Sequence, residues 1–327
     1  MLSVNDIKGM YAIMATPAKP GAERIDATDT VDLDELARIT EQLIQDGCDG
    51  LVTLGTTAEC ATLTPEEWQQ AAACVLETVN RRVPTFIGTT ALGSHEIAAR
   101  NRFAQQQGAD GIILGLPMWQ ACTQDMALQF YQDMSQAFPE LAIMCYANPM
   151  AFRFNFGIPF WVQLTQRAST VICAKHGPDP MIRALNMATQ GKIRYLPHCA
   201  GGYSMARLDP DNNQAFWATE AGMGPQPVLA LRDAIAAGDW DRAAGIDAEI
   251  GYAMQTFFPP GGMQEFGSYN LQLEKIRIDE AGYSRAGPIR PPYHVMPQAL
   301  AEGARECGRR WKQLAAKYAG EYQRLAA

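Results

Sequence analysis

Short apolar runs return along this chain at intervals that leave room for one helix between neighbours, and this alternation constrains the fold more than any other feature. The runs are YAIMATP (11–17), GLVTLG (50–55), PTFIGTT (84–90), GIILGLP (111–117), LAIMCYANP (141–149), TVICAKH (170–176), IRYLP (193–197) and AFWATEAG (215–222). Most of the segments between them have helical period and good caps. Asp32 to Gly47 carries Leu36, Ile39 and Leu43 on one face and stops at a glycine. Thr64-Pro65-Glu66-Glu67 predicts a capping box with proline at the first helical position. Ser94 opens a further helix that ends near Gly108, and GCDGLV (47–52) and GADGII (108–113) repeat one grammar of helix stop, turn and strand start. Eight buried strands alternating with helices predict a (β/α)8 TIM barrel. A doubly wound sheet is the rival, weakened because no GxGxxG follows the first strand.

Beyond residue 222 the strands cease. PVLALRDAIAAGDWDRAAGIDAEIGYAMQTFF and PQALAEGARECGRRWKQLAAKY read as helices, with PPGGMQEFGSYN as a loop before the second. The expected organisation is a barrel carrying the site over residues 1–235, then the last barrel helix and a helical C-terminal extension over 236–327. No linker separates the two, so they read as one domain with an appendix.

Composition removes several function classes. Formal net charge is −8 and no basic run precedes the C-terminal helix, which argues against nucleic acid or an anionic membrane surface as partner. MLSVNDIKGMYAIMATP lacks the plan of a signal peptide, and no apolar run is long enough to span a bilayer. The eight cysteines form no CxxC pair, and Cys145 and Cys173 fall inside strands, as expected of reduced core residues in a cytoplasmic protein. Four histidines, none at HxxxH spacing, argue against a dedicated metal site.

Against this background the stretch VICAKHG (171–177) stands out, because a buried run ends on a lysine. Lysine is rarely buried without a partner, so Lys175 either snorkels to solvent or is a reactive amine whose pKa burial lowers. The barrel reading favours the second, since chemistry in such barrels sits at the C-terminal strand ends. Of seven lysines, Lys192 precedes its strand, Lys275, Lys312 and Lys317 lie on expected helices, and Lys8 and Lys19 lie near the N-terminus. Lys175 alone ends a core strand on the chemical face. A partly desolvated amine there suits attack on a carbonyl, giving a Schiff base. The second strand ends in LGTTAEC, where Thr56 and Thr57 offer donors for a small carboxylate, although a capped glycine turn looks the same in sequence. Tyr146, ending the fifth strand, is either a proton relay or an ordinary strand tyrosine. Together these groups make a 2-oxo-acid site.

GTTAE, then YANP, then AK at these spacings resembles the N-acetylneuraminate lyase/dihydrodipicolinate synthase superfamily of class I aldolases. GTTAECATLT, GTTAL, LGLPMWQ, YANPMAF, LPH and GPIRPPY resemble more closely the hydratase-aldolases of bacterial aromatic degradation, which act on benzylidenepyruvates. The resemblance covers nearly the whole chain. It implies Lys175 as Schiff-base nucleophile, Tyr146 as proton relay, Thr56 and Thr57 as carboxylate ligands, no cofactor or metal, and a homotetramer. Ala58 replaces the usual glycine, Asn148 is displaced by one residue, Trp119 stands where a relay tyrosine is expected, and His176 follows the lysine where an acid is common. These departures argue against the amino-acid biosynthetic synthase. A polyol-cleaving relative and a non-catalytic 2-oxo-acid sensor are the other readings.

Asn148 is expected to orient water or the substrate hydroxyl, Trp119 to flank the aromatic ring, and Asn270, in the GSYN loop, to reach over the site. Trp217 is expected to be barrel core. No role is assigned to His176 or Arg153. The stretch LPHCAGGYSMAR (196–207) holds no acid, and His198 and Arg207 within it favour an ortho-carboxylate over an ortho-hydroxyl on the ring.

Overall fold

The computed structural model describes residues 1–326. Strands and helices alternate in the order β1 (Gly9–Ile13), α1 (Leu33–Gln45), β2 (Gly50–Thr53), α2 (Pro65–Val79), β3 (Thr85–Gly88), α3 (Ser94–Gln106), β4 (Gly111–Leu114) and α4 (Gln124–Ala137). There follow β5 (Ala142–Tyr146), a one-turn α5 (Pro149–Phe152), α6 (Ile158–Arg167), β6 (Val171–Lys175), α7 (Ile182–Ala188), β7 (Arg194–Leu196), α8 (Gly202–Leu208), β8 (Ala215–Ala218) and α9 (Gln226–Ala236). The C-terminal helices are α10 (Trp240–Met254), α11 (Gly262–Ala281) and α12 (Gln298–Ala326).

All strand pairs are parallel, in the order β7-β6-β5-β4-β3-β2-β1-β8. A parallel bridge between His198 and Trp217, with Trp217 N–H donating to Pro197 O at 2.9 Å, brings β7 to β8 and rounds off the barrel. The expected (β/α)8 TIM barrel is therefore present. Each strand is almost wholly buried because helices cover its outer face and side chains fill its inner one.

Local signals fall where the sequence places them. Asp32 caps α1 through Glu35 N–H, and Gly47 takes the left-handed conformation that ends the turn after it. Thr64 and Glu67 exchange the two capping-box bonds at 3.2 and 3.0 Å.

One segment departs from expectation. Residues from 262 onward within PPGGMQEFGSYN are not a loop but the opening turns of α11. Gly267 and Ser268 look like turn residues, yet Phe266, Leu273 and Ile278 bury one face of the helix, and packing outweighs propensity. Gly267 sits where a Cβ would come within 3.3 Å of Met150 Sδ, so the helix passes close to α5 at the barrel mouth. Helix α12 packs along α11 and buries Trp311, whose Nε1 donates to Gly224 O at 3.0 Å. All eight cysteines are free, and among the described residues no helix is long and apolar enough to cross a membrane.

Candidate active site

The strand register brings Lys175 and Tyr146 side by side. Lys175 and Tyr146 are direct partners across β5 and β6, at the C-terminal ends of both strands. Lys175 Nζ lies 4.7 Å from the Tyr146 ring centre and 3.3 Å from that of Trp217. Among the described residues it has no ion-pair or hydrogen-bond partner. Burial drives its pKa from the ordinary lysine value down to about 7, against the pull of Glu274 and Glu220, which favour the charged form. A large fraction of this amine is neutral at physiological pH.

Tyr146 is buried, and its hydroxyl is 2.6 Å from Thr56 Oγ1 and 3.4 Å from Asn148 Nδ2. Burial raises the phenol pKa while the Thr56 and Asn148 bonds oppose the rise. Asn148 is fixed from behind, its Oδ1 accepting from Ala151 N–H at 3.1 Å as the cap of α5. Thr57 is buried next to Thr56 in a tight turn closed by Ala58 N–H to Gly55 O at 3.2 Å and Glu59 N–H to Thr56 O at 3.1 Å. Among the described residues the backbone N–H groups of Thr56 and Thr57 donate to no protein acceptor. Two unused backbone donors and a threonine hydroxyl, on the strand end beside β1 and β3, suit a small carboxylate.

Trp217 is not simply barrel core. Its Nε1 donates to His176 O at 2.9 Å, which holds the ring face against the Lys175 amine. The His198 ring meets it edge-on at 4.5 Å. His198 Nδ1 accepts from Ala200 N–H at 3.2 Å, so its proton is on Nε2, 3.1 Å from Glu220 Oε2. Behind these lies a buried charge cluster. Arg277 pairs with Glu220 at 2.8 Å and Glu274 at 2.7 Å, and donates to Thr219 Oγ1 at 2.6 Å. Burial opposes ionisation of both acids. His198 and Arg277 outweigh it at Glu220, holding that carboxyl well below the usual range, whereas burial prevails at Glu274 and raises it. His198, Cys199 and Glu220 place three potential ligand atoms within 4.8 Å of one another. Arg277 already neutralises Glu220 and the Cys199 thiol donates to it at 3.3 Å, so the group is satisfied as a hydrogen-bond network.

A second cluster lies under the Thr56–Thr57 turn. Glu59 pairs with Lys275 at 2.7 Å and with Arg290, all three buried. Sequence reasoning missed both clusters. The available signal was Glu274-Lys275-x-Arg277 within a helix whose flanking Leu273 and Ile278 are apolar, a pattern that takes charges inside the protein.

Other expected positions are more distant from this chemistry. Trp119 lies on the rim with 78% of its surface exposed, its carbonyl held by Arg153 at 3.1 Å. Asn270 is half-buried on α11, one turn before Glu274, without a hydrogen-bond partner among the described residues. His176 packs edge-on against Tyr195 and bonds Gly177 O. Arg207 is exposed at the end of α8, over the Trp240 ring at 5.0 Å, and His198 is engaged by Glu220. Both side chains behind the ortho-carboxylate expectation have partners within the chain in this structure. A cleft of about 330 Å³ lined by Asn80, Arg81, Gln107 and Asp110 lies at the N-terminal strand ends and shares none of these groups.

Comparison with known proteins shows the family. Residues 9–196 match the dihydrodipicolinate synthetase family. The chain belongs to that family. Within it, the chain is 43% identical over 321 residues to a trans-O-hydroxybenzylidenepyruvate hydratase-aldolase of Pseudomonas putida, covering 97% of this chain and 96% of the relative. It is 36% identical to a trans-2'-carboxybenzalpyruvate hydratase-aldolase of Nocardioides sp. (strain KP7), covering 96% and 95%. Among solved structures of the family, PhdJ bound to substrate intermediate superposes with a TM-score of 0.94 at 36% identity, covering 97% of this chain and 99% of that one.

Proposed function

We propose that this member of the dihydrodipicolinate synthetase family is a lyase, a Schiff-base hydratase-aldolase that converts an ortho-substituted trans-benzylidenepyruvate and water to an aromatic aldehyde and pyruvate. The observation that carries the reading is the unpaired Lys175 amine, lowered to about 7 and seated between the Tyr146 and Trp217 rings.

Thr57 and the free backbone donors of the Thr56–Thr57 turn hold the substrate carboxylate. Lys175 attacks the C2 ketone and, with loss of water, forms an iminium whose positive charge the Trp217 face stabilises. The iminium withdraws electrons through the conjugated double bond, water oriented by Asn148 adds at the benzylic carbon and loses a proton, and the enamine so formed takes a proton at C3, which restores the iminium. Tyr146 then takes the proton of the new hydroxyl, the C3–C4 bond breaks toward the iminium, and the aldehyde leaves. Protonation of the enamine and hydrolysis release pyruvate and regenerate the amine. In this reading Trp119 is assigned to the aromatic half and Asn270 to its hydroxyl.

We favour the ortho-hydroxy ring. The P. putida relative, named for the hydroxy substrate, is the more similar of the two named relatives. Residues 1–235 supply the reacting groups in this reading and 236–327 support them. Exposed large apolar side chains such as Leu92, Trp119, Phe258 and Met263 fit a homotetramer, and eight free cysteines fit the cytoplasm. The test is pyruvate release from the ortho-hydroxy, ortho-carboxy and unsubstituted compounds. The highest kcat/KM for the hydroxy compound is expected. A higher value for the carboxy compound reverses the ring assignment, and no release from any of them removes the function.

A further inference from the structure

Glu59 is the last residue of the turn that carries Thr56 and Thr57, and its backbone is left-handed, with φ at +56°. A side chain rarely adopts that conformation without external support. Here the support comes from the C-terminal extension. Glu59 Oε2 accepts from Lys275 Nζ on α11 at 2.7 Å and from the Arg290 guanidinium, and Oε1 accepts from Arg290 N–H at 2.9 Å. Lys275 is anchored further by Pro288 O at 2.6 Å, and Arg290 by Thr30 Oγ1 at 2.8 Å and Thr30 O at 3.1 Å. On the other side of the turn, Thr16 Oγ1 donates to Ala58 O at 2.8 Å. No barrel strand supplies a charged group to Glu59.

Helix α11 therefore touches both halves of the site with consecutive residues. Glu274 faces the Thr219–Glu220 segment behind Trp217, while Lys275 reaches the turn after β2. Buried ion pairs are a poor way to gain stability, because desolvation offsets most of the attraction, and apolar residues fill such space equally well. They are a good way to fix a geometry, because each partner accepts few alternative positions.

We propose that Lys275 and Arg290 are positioning residues that act through Glu59 to set the Thr56–Thr57 turn, making the C-terminal extension part of the substrate-carboxylate site. The proposal rests on the Schiff-base reading and extends it to groups that never touch the substrate.

The experiment is borohydride trapping of pyruvate on the full-length chain, read as the pyruvate concentration that gives half-maximal adduct. Glu59→Gln and Lys275→Met should each raise that concentration at least tenfold, while the adduct formed at saturating pyruvate stays at the parental level. The double variant Glu59→Gln/Lys275→Met removes the buried pair together, so it separates folding from positioning if a single variant is insoluble. It leaves Arg290 buried without its acid, so it should melt below the parent, and when folded it should still show the weakened half-saturation. Parental half-saturation in any folded variant of the three would overturn the proposal. Failure of the parent protein itself to trap pyruvate would instead overturn the Schiff-base reading, and this inference with it.

Discussion

The Lys175 side-chain nitrogen lies 3.3 Å from the centre of the Trp217 ring and has no acid as partner among the described residues. A cation over an aromatic face in a desolvated site gains about 2 kcal/mol, enough to stabilise the iminium yet too little to keep the resting amine protonated. The ring thus does what a carboxylate would overdo.

Replacing that ring tests the relationship. Trp217→Phe, which keeps an aromatic face, should retain most of kcat/KM. Trp217→Leu should lose about tenfold or more, since a loss of about 1.4 kcal/mol in iminium stabilisation is tenfold in rate. Equal activity in the two variants, measured by pyruvate release, would show that the ring only fills space.

The pH dependence follows from the Lys175 environment. Burial disfavours the ammonium, so the free amine that attacks the ketone persists down to about pH 7. Below that value protonation removes the nucleophilic lone pair, and kcat/KM should fall about tenfold per pH unit, with a plateau above. An acidic limb centred near the ordinary lysine value would mean that the amine is solvated in the working enzyme.

Tyr146→Phe should leave pyruvate trapping close to parental and slow carbon–carbon cleavage by about two to four orders of magnitude, the usual scale of general acid–base help. The phenol bonds Thr56 and Asn148 but not Lys175, which is why the two steps should separate. A parallel fall in trapping and cleavage would assign it to imine formation instead.

The barrel and the meeting of Lys175, Tyr146 and Thr56 at its mouth were legible in the sequence because each depends on local pattern. Apolar runs give the strands, Thr64 and Glu67 give a cap, and strand ends give Lys175, Tyr146 and Thr56. Trp217 was read as core because periodicity reports which face a residue is on and not what stands opposite it. Glu59, Glu220, Glu274, Lys275, Arg277 and Arg290 were missed because their partners lie far apart in the chain; Glu59 and Arg290 are 231 residues apart. Asn270 was placed in a loop because glycine and serine outweighed the buried stripe of Phe266 and Leu273. Arg207 was read as a ligand from loop composition alone, whereas Trp240 on the next helix layer claims it.

The buried acids behind Trp217 share one guanidinium, and Glu220 has His198 besides. Arg277→Met should destabilise the fold by about 3–5 kcal/mol, because Glu274 would lose its cationic partner and Glu220 one of two. Urea unfolding should show a lower midpoint with an unchanged slope. A shift under about 1 kcal/mol would mean that water or rearrangement satisfies the acids.

The central claim is covalent chemistry at Lys175, and intact mass followed by peptide mapping after borohydride reduction with pyruvate tests it most directly. The account predicts one reduced pyruvyl adduct per chain on Lys175, none on the buried Lys275, and neither adduct nor turnover in a folded Lys175→Ala variant. An adduct on another lysine, or Lys175→Ala keeping a tenth of the parental turnover, would contradict it.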